Sequence, residues 1–201
     1  MRNVMTAVTI AAGVLVAPAA WATDWDESVN GDLSGDRLNP TVLNLTTGNN
    51  TITATSSAPD LEYYRVNLPQ GTRLTSITLT QFTTATTVAF IGIQSGTTFT
   101  EPPVGTNAAN LLGWTHFGTG QLNTDILDNM GQAVPSIGFT PPLGNGTYTF
   151  WSQETSASPT TYRLVIAVSA PAVPGVGPAY AALLVLGLGW FGVRRLRRRA
   201  V

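Results

Sequence analysis

The sequence predicts an all-β protein, built as an antiparallel β-sandwich or barrel, with an N-terminal signal helix and a single C-terminal transmembrane helix. Short runs of β-branched and aromatic residues recur along the chain and are separated by turn residues, which is typical of such folds. The long apolar runs lie near the ends, at residues 4–17 and 179–193. Residues 23–170 are polar, rich in threonine and glycine, and long enough to bury one core.

Seven runs in this body are predicted strands. In chain order they are PTVLNL (40–45), NTITATS (50–56), EYYRVNL (62–68), RLTSITLTQF (73–82), TVAFIGIQ (87–94), GTYTFWSQ (146–153) and TYRLVIAVS (161–169). The residues TTGN between the first two runs predict a hairpin. In the fourth run, Leu74 falls on the opposite face from Ile77 and Leu79, which predicts a bulge or burial on both faces. In the last run, alternate residues from Tyr162 to Val168 share one face.

Residues 95–143 are richer in loop residues than the rest of the body. A structureless insertion of this length is uncommon unless it carries function or is mobile. Within it, TDILDNMG (124–131) predicts one or two helical turns. Trp114 and Trp151, with Phe117, are candidates for a platform on which a sugar ring stacks. The alternative is a second packing layer under the long loop.

The charges of the chain are segregated, so its net charge of −1 is misleading. All eleven acids lie in residues 23–170, against only four arginines, which gives the body a balance of −7. A domain this acidic repels nucleic acid, which is therefore excluded as a partner. The chain has no cysteine, which excludes disulfides and thiolate metal sites.

Residues 1–22 have the features of a secretory signal peptide. Arg2 supplies the positive start, an apolar run follows it, and Ala20 and Ala22 form an A-x-A cleavage site. Thr23 is then the first residue of the mature protein. The alternative is a buried N-terminal helix, which the polar shift after Ala22 disfavours.

The other end predicts a marginal membrane anchor. Residues 179–193 carry no charge, and as a helix they span about 22 Å of the roughly 30 Å hydrocarbon core. The cluster that follows, in the tail 194–201, would stay cytoplasmic; it consists of Arg194, Arg195, Arg197, Arg198 and Arg199. A buried core helix followed by a basic tail is the alternative.

A Pro/Gly segment, a hydrophobic helix and an arginine cluster in this order resemble the sorting signals of the PEP-CTERM family. The resemblance implies that residues 171–178 are the signature and hinge, that the precursor is held in the inner membrane, and that an exosortase cuts near Val173 and Pro174. Gly175 stands where that family has glutamate. A rhombosortase-like enzyme or a plain anchor therefore stays open. Delivery to the cell surface or to an exopolysaccharide matrix follows from the resemblance.

The body resembles the small pre-peptidase C-terminal-like β-sandwiches that accompany such tails. The resemblance lies in three stretches: DESVNGDLSGD, DLEYYRVNLPQGTRLTSITL and LGNGTYTFWSQETSASPTTYRLVIAV. It implies a jelly-roll-like sandwich with a non-catalytic surface or binding role.

An acidic N-terminal segment is the candidate metal site. Asp24, Asp26, Asp32 and Asp36, with Asn30, offer oxygen ligands of the kind that calcium prefers. The EF-hand register is not met, and the alternative is a solvated, turn-rich segment. Asp60 and Glu62 present the same choice between a capped turn and calcium.

No catalytic motif is present in the sequence. His116 is the only histidine, no nucleophile elbow G-x-S-x-G accompanies it, and H-E-x-x-H is absent. We therefore expect a non-enzymatic exported envelope or matrix protein. The alternative is a surface module that binds carbohydrate or calcium.

The intact mass of the mature protein from cells tests both predicted ends. We expect a chain that begins at Thr23 and ends near Val173 and Pro174. A mass that includes residues 1–22, from protein dissolved in the cytosol, would contradict the predicted export.

Overall fold

Two β-sheets that share one hydrophobic core make up the part of the chain that the computed structural model describes, residues 22–84 and 88–170. The predicted signal helix with Ala20, the sorting segment 171–178, the anchor 179–193 and the arginine tail lie outside the described residues. Within the described ranges, no helix combines the length and the hydrophobicity needed to span a membrane.

Nine strands and two short α-helices are present in these ranges. The strands are β1 (Asp24–Asp26), β2 (Thr41–Leu43), β3 (Gly48–Ser56), β4 (Leu61–Leu68), β5 (Arg73–Phe82), β6 (Ala89–Ser95), β7 (Gly113–Phe117), β8 (Gly146–Glu154) and β9 (Thr160–Ser169). The helices are α1 (Glu27–Asn30) and α2 (Leu127–Gln132), and short 3-10 turns lie at Ala108–Asn110 and Thr119–Gln121. All seven predicted runs overlap strands, and the predicted helical turns at 124–131 overlap α2.

The all-β prediction is confirmed, but both sheets are mixed rather than antiparallel. The first sheet has the order β1-β3-β9-β5 and the second has the order β2-β4-β8-β6-β7. Two edge pairs, β1 with β3 and β2 with β4, are parallel. The strands of each pair are separated in sequence by a strand of the other sheet. In both cases the chain leaves a sheet, crosses to the other one, and returns to the first of the two in the same direction.

The hairpin predicted at TTGN is wrong because the strands on either side of it enter different sheets. Gly48, with φ of 107°, begins β3, and buried Asn50 fixes the crossing. The Asn50 side-chain oxygen accepts hydrogen bonds from the backbone nitrogens of Thr46 (2.9 Å) and Thr23 (3.0 Å), while its amide nitrogen donates to the Thr46 carbonyl (2.8 Å). The turn residues therefore make a sheet-to-sheet crossing instead of a hairpin.

The inner faces of the two sheets form the main core. Alternate residues of β9 from Tyr162 to Val168 are buried in it, as the alternation predicts. Tyr162 meets Phe117 of the opposite sheet edge to face, at 5.4 Å between ring centroids. The predicted bulge in β5 is confirmed, because its register to β9 shifts between Leu74 and Ser76.

A second, smaller cluster covers the outer face of the second sheet. Tyr63 and Trp151 project there from β4 and β8, and they pack under Phe99 and Leu111 of the long loop. Trp151 is only 3% exposed. Trp151 therefore belongs to a second packing layer under the long loop, which is the alternative to an exposed sugar platform.

The segment 113–139 is tightly packed rather than loose. A Cβ atom built on Gly131 would lie 2.2 Å from the carbonyl oxygen of Phe139, and one on Gly113 would lie 2.4 Å from that of Met130. Both contacts are with backbone, which cannot move aside without disturbing α2. Glycine is therefore required at both positions.

We expect Gly131→Ala to destabilise the fold by about 1–3 kcal/mol, because the added methyl group overpacks the α2 contact. Gly120→Ala is the matched control, since a Cβ there meets no atom within 4 Å. Chemical denaturation of both variants measures the difference. Equal stability of the two variants would contradict the packing described for this segment.

Candidate functional site

Three carboxylates converge at one end of the sandwich. One oxygen each from Glu27, Asp32 and Glu62 lies within 4.8 Å of the other two. Glu27 begins α1, Asp32 follows that helix, and Glu62 lies on β4. We refer to these three residues as the carboxylate triad.

Local structure brings Glu27 and Asp32 together. Asp26 caps α1, because its side chain accepts hydrogen bonds from the Ser28 nitrogen (2.9 Å) and the Ser28 hydroxyl (2.6 Å). Gly31 ends the helix with φ of 89° and donates its N–H to the Glu27 carbonyl. This single helical turn reverses the chain, so Asp32 returns to the side of Glu27.

Glu27 joins the N-terminal segment to the first sheet. Its Oε2 accepts a hydrogen bond from the backbone nitrogen of Thr55 in β3 (2.6 Å), and its Oε1 accepts one from that of Leu33 (3.2 Å). Both bonds hold the carboxylate in a fixed orientation. Each oxygen keeps a further lone pair that can face a cation.

Glu62 is the unusual member of the triad. It shares the inner face of β4 with Tyr64, Val66 and Leu68, and it is 0% exposed. Neither of its carboxylate oxygens accepts a hydrogen bond from a donor group among the described residues. The polar side chains within its reach are the carboxyls of Glu27 and Asp60, which can share a proton with it but supply no positive charge. An ionised carboxylate in this position costs several kcal/mol unless a proton or a cation compensates it.

The charges around the triad increase this cost. Burial, followed by the negative charge of Glu27, raises the pKa of Glu62 to about 10. Burial also raises the pKa of Glu27 against the opposing effect of its backbone hydrogen bonds, and burial and then Asp60 raise the pKa of Asp32. All three groups therefore favour a bound proton or a positive charge at the centre of the triad.

The donor set suits a hard cation. Calcium takes six to eight oxygen ligands at about 2.3–2.6 Å, so two of its ligands lie at most about 5 Å apart, which the triad satisfies. Asp32 is exposed, so its side of the triad is open to water, which can supply the remaining ligands. Carboxylates without nitrogen or sulfur ligands favour calcium or magnesium over zinc.

The other acids predicted for the metal site are placed elsewhere. Asp24 is exposed on β1, and Asp26 is the helix cap. Asp36 orders a turn: its carboxylate accepts from the Leu38 nitrogen (2.9 Å) and the Asn39 amide (2.7 Å), and the Asn39 bond is the main cause of its lowered pKa. The Asn30 side-chain oxygen accepts a hydrogen bond from the backbone nitrogen of Asp26 (2.9 Å). Of the four predicted aspartates, the structure brings only Asp32 into the triad.

The spacing of the N-terminal acids does not indicate the other two members of the triad, Glu27 and Glu62. Glu27 is not among the predicted metal ligands, and Glu62 is predicted with Asp60 rather than with the N-terminal acids. The strand alternation could have indicated Glu62. Its side chain falls on the same face of the strand as Tyr64, Val66 and Leu68, which is the apolar face. No local pattern links it to Glu27, which is 35 positions earlier in the chain.

Two of the three aromatic candidates, Trp114 and Trp151, lie on the outer face of the second sheet, opposite to the triad. Trp114 is half-buried on β7, and its Nε1 donates to the carbonyl oxygen of Pro135 (3.1 Å). His116 is exposed and contacts the Trp114 ring, whereas Phe117 is fully buried in the main core. The predicted three-ring platform therefore loses Phe117.

Comparison with known proteins gave no match to a protein-family model, a curated protein or a solved structure. The function of the chain therefore has to follow from the chemistry of its own residues. Among the described residues, the carboxylate triad is the arrangement with the clearest chemical consequence.

Without a divalent cation, the stability of the protein should fall as the pH rises. Because the pKa of Glu62 is about 10 in the folded state and near 4.5 when unfolded, the folded state holds a proton that the unfolded state releases. The stabilisation is complete below about pH 4.5 and is lost as the pH rises toward 10. We expect the Tm in a chelator to be lower at pH 9 than at pH 5.

Glu62→Gln is the control for this pH dependence, because glutamine fills the same space without titrating. Its Tm should change much less between pH 5 and pH 9. Asp26 and Asp36, whose pKa values are lowered, titrate below this range and do not contribute to it. A wild-type Tm that rises from pH 5 to pH 9 would contradict the buried state of Glu62.

Proposed function

We propose that the chain is a non-enzymatic exported module of the bacterial envelope. In this proposal a bound divalent cation, preferably calcium, links the two sheets of its β-sandwich. The observation that supports the proposal best is the buried carboxylate of Glu62, which has other carboxyls as its neighbours and accepts no hydrogen bond from a donor group among the described residues. A bound cation satisfies all three carboxylates at once. No other group among the described residues offers Glu62 a compensating charge.

The position of the triad gives the cation a structural role. Glu27 is hydrogen-bonded to β3 of the first sheet, whereas Glu62 belongs to β4 of the second. An ion held by both residues links the two sheets and fixes the N-terminal segment to them. A protein with a site of this kind folds most stably where calcium is abundant, and extracellular calcium modules bind with dissociation constants of about 10⁻⁴–10⁻³ M.

Export is the second part of the proposal, and its support comes from the sequence. The A-x-A site at Ala20 and Ala22 and the order of hinge, apolar run and arginine cluster favour an envelope address. The body is all-β, which is the coarse fold class that the resemblance implies, although two of its edge pairs are parallel. We propose an inner-membrane precursor that an exosortase-like enzyme processes near Val173 for delivery to the cell surface or exopolysaccharide matrix.

The non-enzymatic part of the proposal rests on the sequence motifs and on the position of His116. Its ring lies edge to face against Phe90 and Trp114, which carry no nucleophilic group. The sequence offers no nucleophile elbow, and Ser152 is buried on the other face of the sheet. These residues fit a binding or structural role better than a catalytic one.

Calcium should raise the Tm of the wild-type protein in a saturable way. A ligand at about 100 times its dissociation constant stabilises the fold by about 2.7 kcal/mol, which is a shift of several degrees for a domain of this size. Glu62→Gln should lose most of this shift and should exceed the wild type in Tm when a chelator is present at neutral pH. Differential scanning fluorimetry measures both effects.

Asp24→Asn is the matched control, because it also removes one acid from the N-terminal segment but lies outside the triad. It should keep the full response to calcium. The absence of any calcium-dependent rise in wild-type Tm at about 10 mM, above the range of extracellular modules, would overturn the proposal.

A further inference from the structure

A groove crosses the outer face of the second sheet, on the side opposite to the carboxylate triad. Phe90 of β6, Trp114 of β7 and Trp151 of β8 line it. Gly92 of β6 pairs with Trp114 on one side and with Trp151 on the other. A Cβ atom on Gly92 would lie 3.1 Å from the ring of Phe90. The absence of a side chain there lets the Phe90 ring lie between the two indoles.

Aromatic rings form a continuous surface along this groove. The Phe90 and Trp114 rings are stacked, with centroids 6.3 Å apart and planes 26° apart. Beneath them, Trp151 meets Phe90 at 4.8 Å and 61°. Phe90 and Trp114 remain half-buried, so parts of both rings face solvent.

The rings are held in place before any ligand arrives. The Trp114 indole is fixed by its hydrogen bond to the Pro135 carbonyl, and Trp151 is fixed by burial under the loop. All three rings project from paired strands rather than from loops. A site built on such rigid elements loses little entropy on binding.

Two polar side chains flank Phe90 through the sheet register. His116 of β7 and Gln153 of β8 are its cross-strand partners. Among the described residues, neither side chain makes a hydrogen bond with another residue, so their polar atoms are free to bind a ligand. The groove therefore combines an aromatic, apolar lining with hydrogen-bonding groups at two sides.

The size and the charge of the groove limit its ligand. Its volume is about 400 Å³, which suits a small molecule or a few residues of a polymer. No aspartate, glutamate, lysine or arginine lines it, although the body has a balance of −7. An uncharged ligand matches this lining, because an ionic ligand would lose its hydration without gaining a partner charge.

We propose that the groove binds an uncharged pyranose residue of a polysaccharide. The C–H face of the sugar ring lies on Phe90 and Trp114, and its hydroxyls bond to His116 and Gln153. The chemistry has the two parts that a sugar requires, an apolar face and a hydroxyl edge. The site is separate from the triad and does not depend on the bound cation.

The test uses the purified full-length chain, in a detergent without a sugar headgroup. Tryptophan fluorescence and calorimetry follow its titration with cellohexaose, laminarihexaose, maltohexaose and mannohexaose. Hexagalacturonate is the charged counterpart, and hexaproline represents a peptide ligand that favours aromatic grooves. We expect saturable binding of at least one neutral hexasaccharide, and weaker or no binding of the other two probes.

Trp114→Ala should weaken that binding by about tenfold or more, because it removes half of the stacking surface. The double variant His116→Ala, Gln153→Ala tests the hydroxyl contacts with two substitutions at the rim, outside both cores. Ile137→Ala is the control, since Ile137 is an exposed apolar residue that does not line the groove.

The proposal is overturned if none of the four neutral hexasaccharides binds, or if hexagalacturonate or hexaproline binds more tightly than they do. It is also overturned if sugar binding survives unchanged in the His116→Ala, Gln153→Ala variant. Loss of calcium binding with sugar binding intact would count against the proposed cation site alone, so the two proposals fail separately.

Discussion

A carboxylate that faces the core without a positive charge beside it is the constraint on which the arrangement of this end of the sandwich depends. Glu62 occupies an inward position of β4 where the next alternate residues are apolar. Glu27 lies beside it because the capped turn of α1 and the hydrogen bond to Thr55 fix the N-terminal segment there. Negative groups so close together need a proton or a cation between them. The charge state of these carboxylates therefore affects how firmly the N-terminal segment is held to the two sheets.

The alternation of β4 and β8 divides the protein into two chemical surfaces. Inward residues such as Glu62 and Phe150 form the core and its acidic end, whereas Tyr63 and Trp151 support an aromatic outer face. This strand pair therefore contributes to both proposed sites, with Glu62 in one and Trp151 and Gln153 in the other, on opposite faces of the sheet. Substitutions on one face can be made without direct contact with the other.

The sequence predicted the elements that depend on local pattern. Strand periodicity located seven of the nine strands in the described residues and missed β1 and β7. The mismatch of Leu74 with Ile77 predicted a bulge or burial on both faces, of which the structure has the bulge, and TDILDNMG overlaps α2. It failed where distant segments decide the outcome. The turn before Gly48 is compatible with a hairpin or a crossing, and only the packing of the two sheets selects the crossing. The triad joins residues that are far apart in the chain, and spacing alone does not reveal it.

The protonation state of Glu62 tests the central claim most directly. Carbon-13 NMR of glutamate carboxyl groups, assigned by comparison with Glu62→Gln, reports whether this group is ionised. At neutral pH in a chelator we expect the chemical shift of a protonated acid, and we expect calcium to convert it to that of a carboxylate. A Glu62 that is ionised in the chelator and unchanged by calcium would contradict the account.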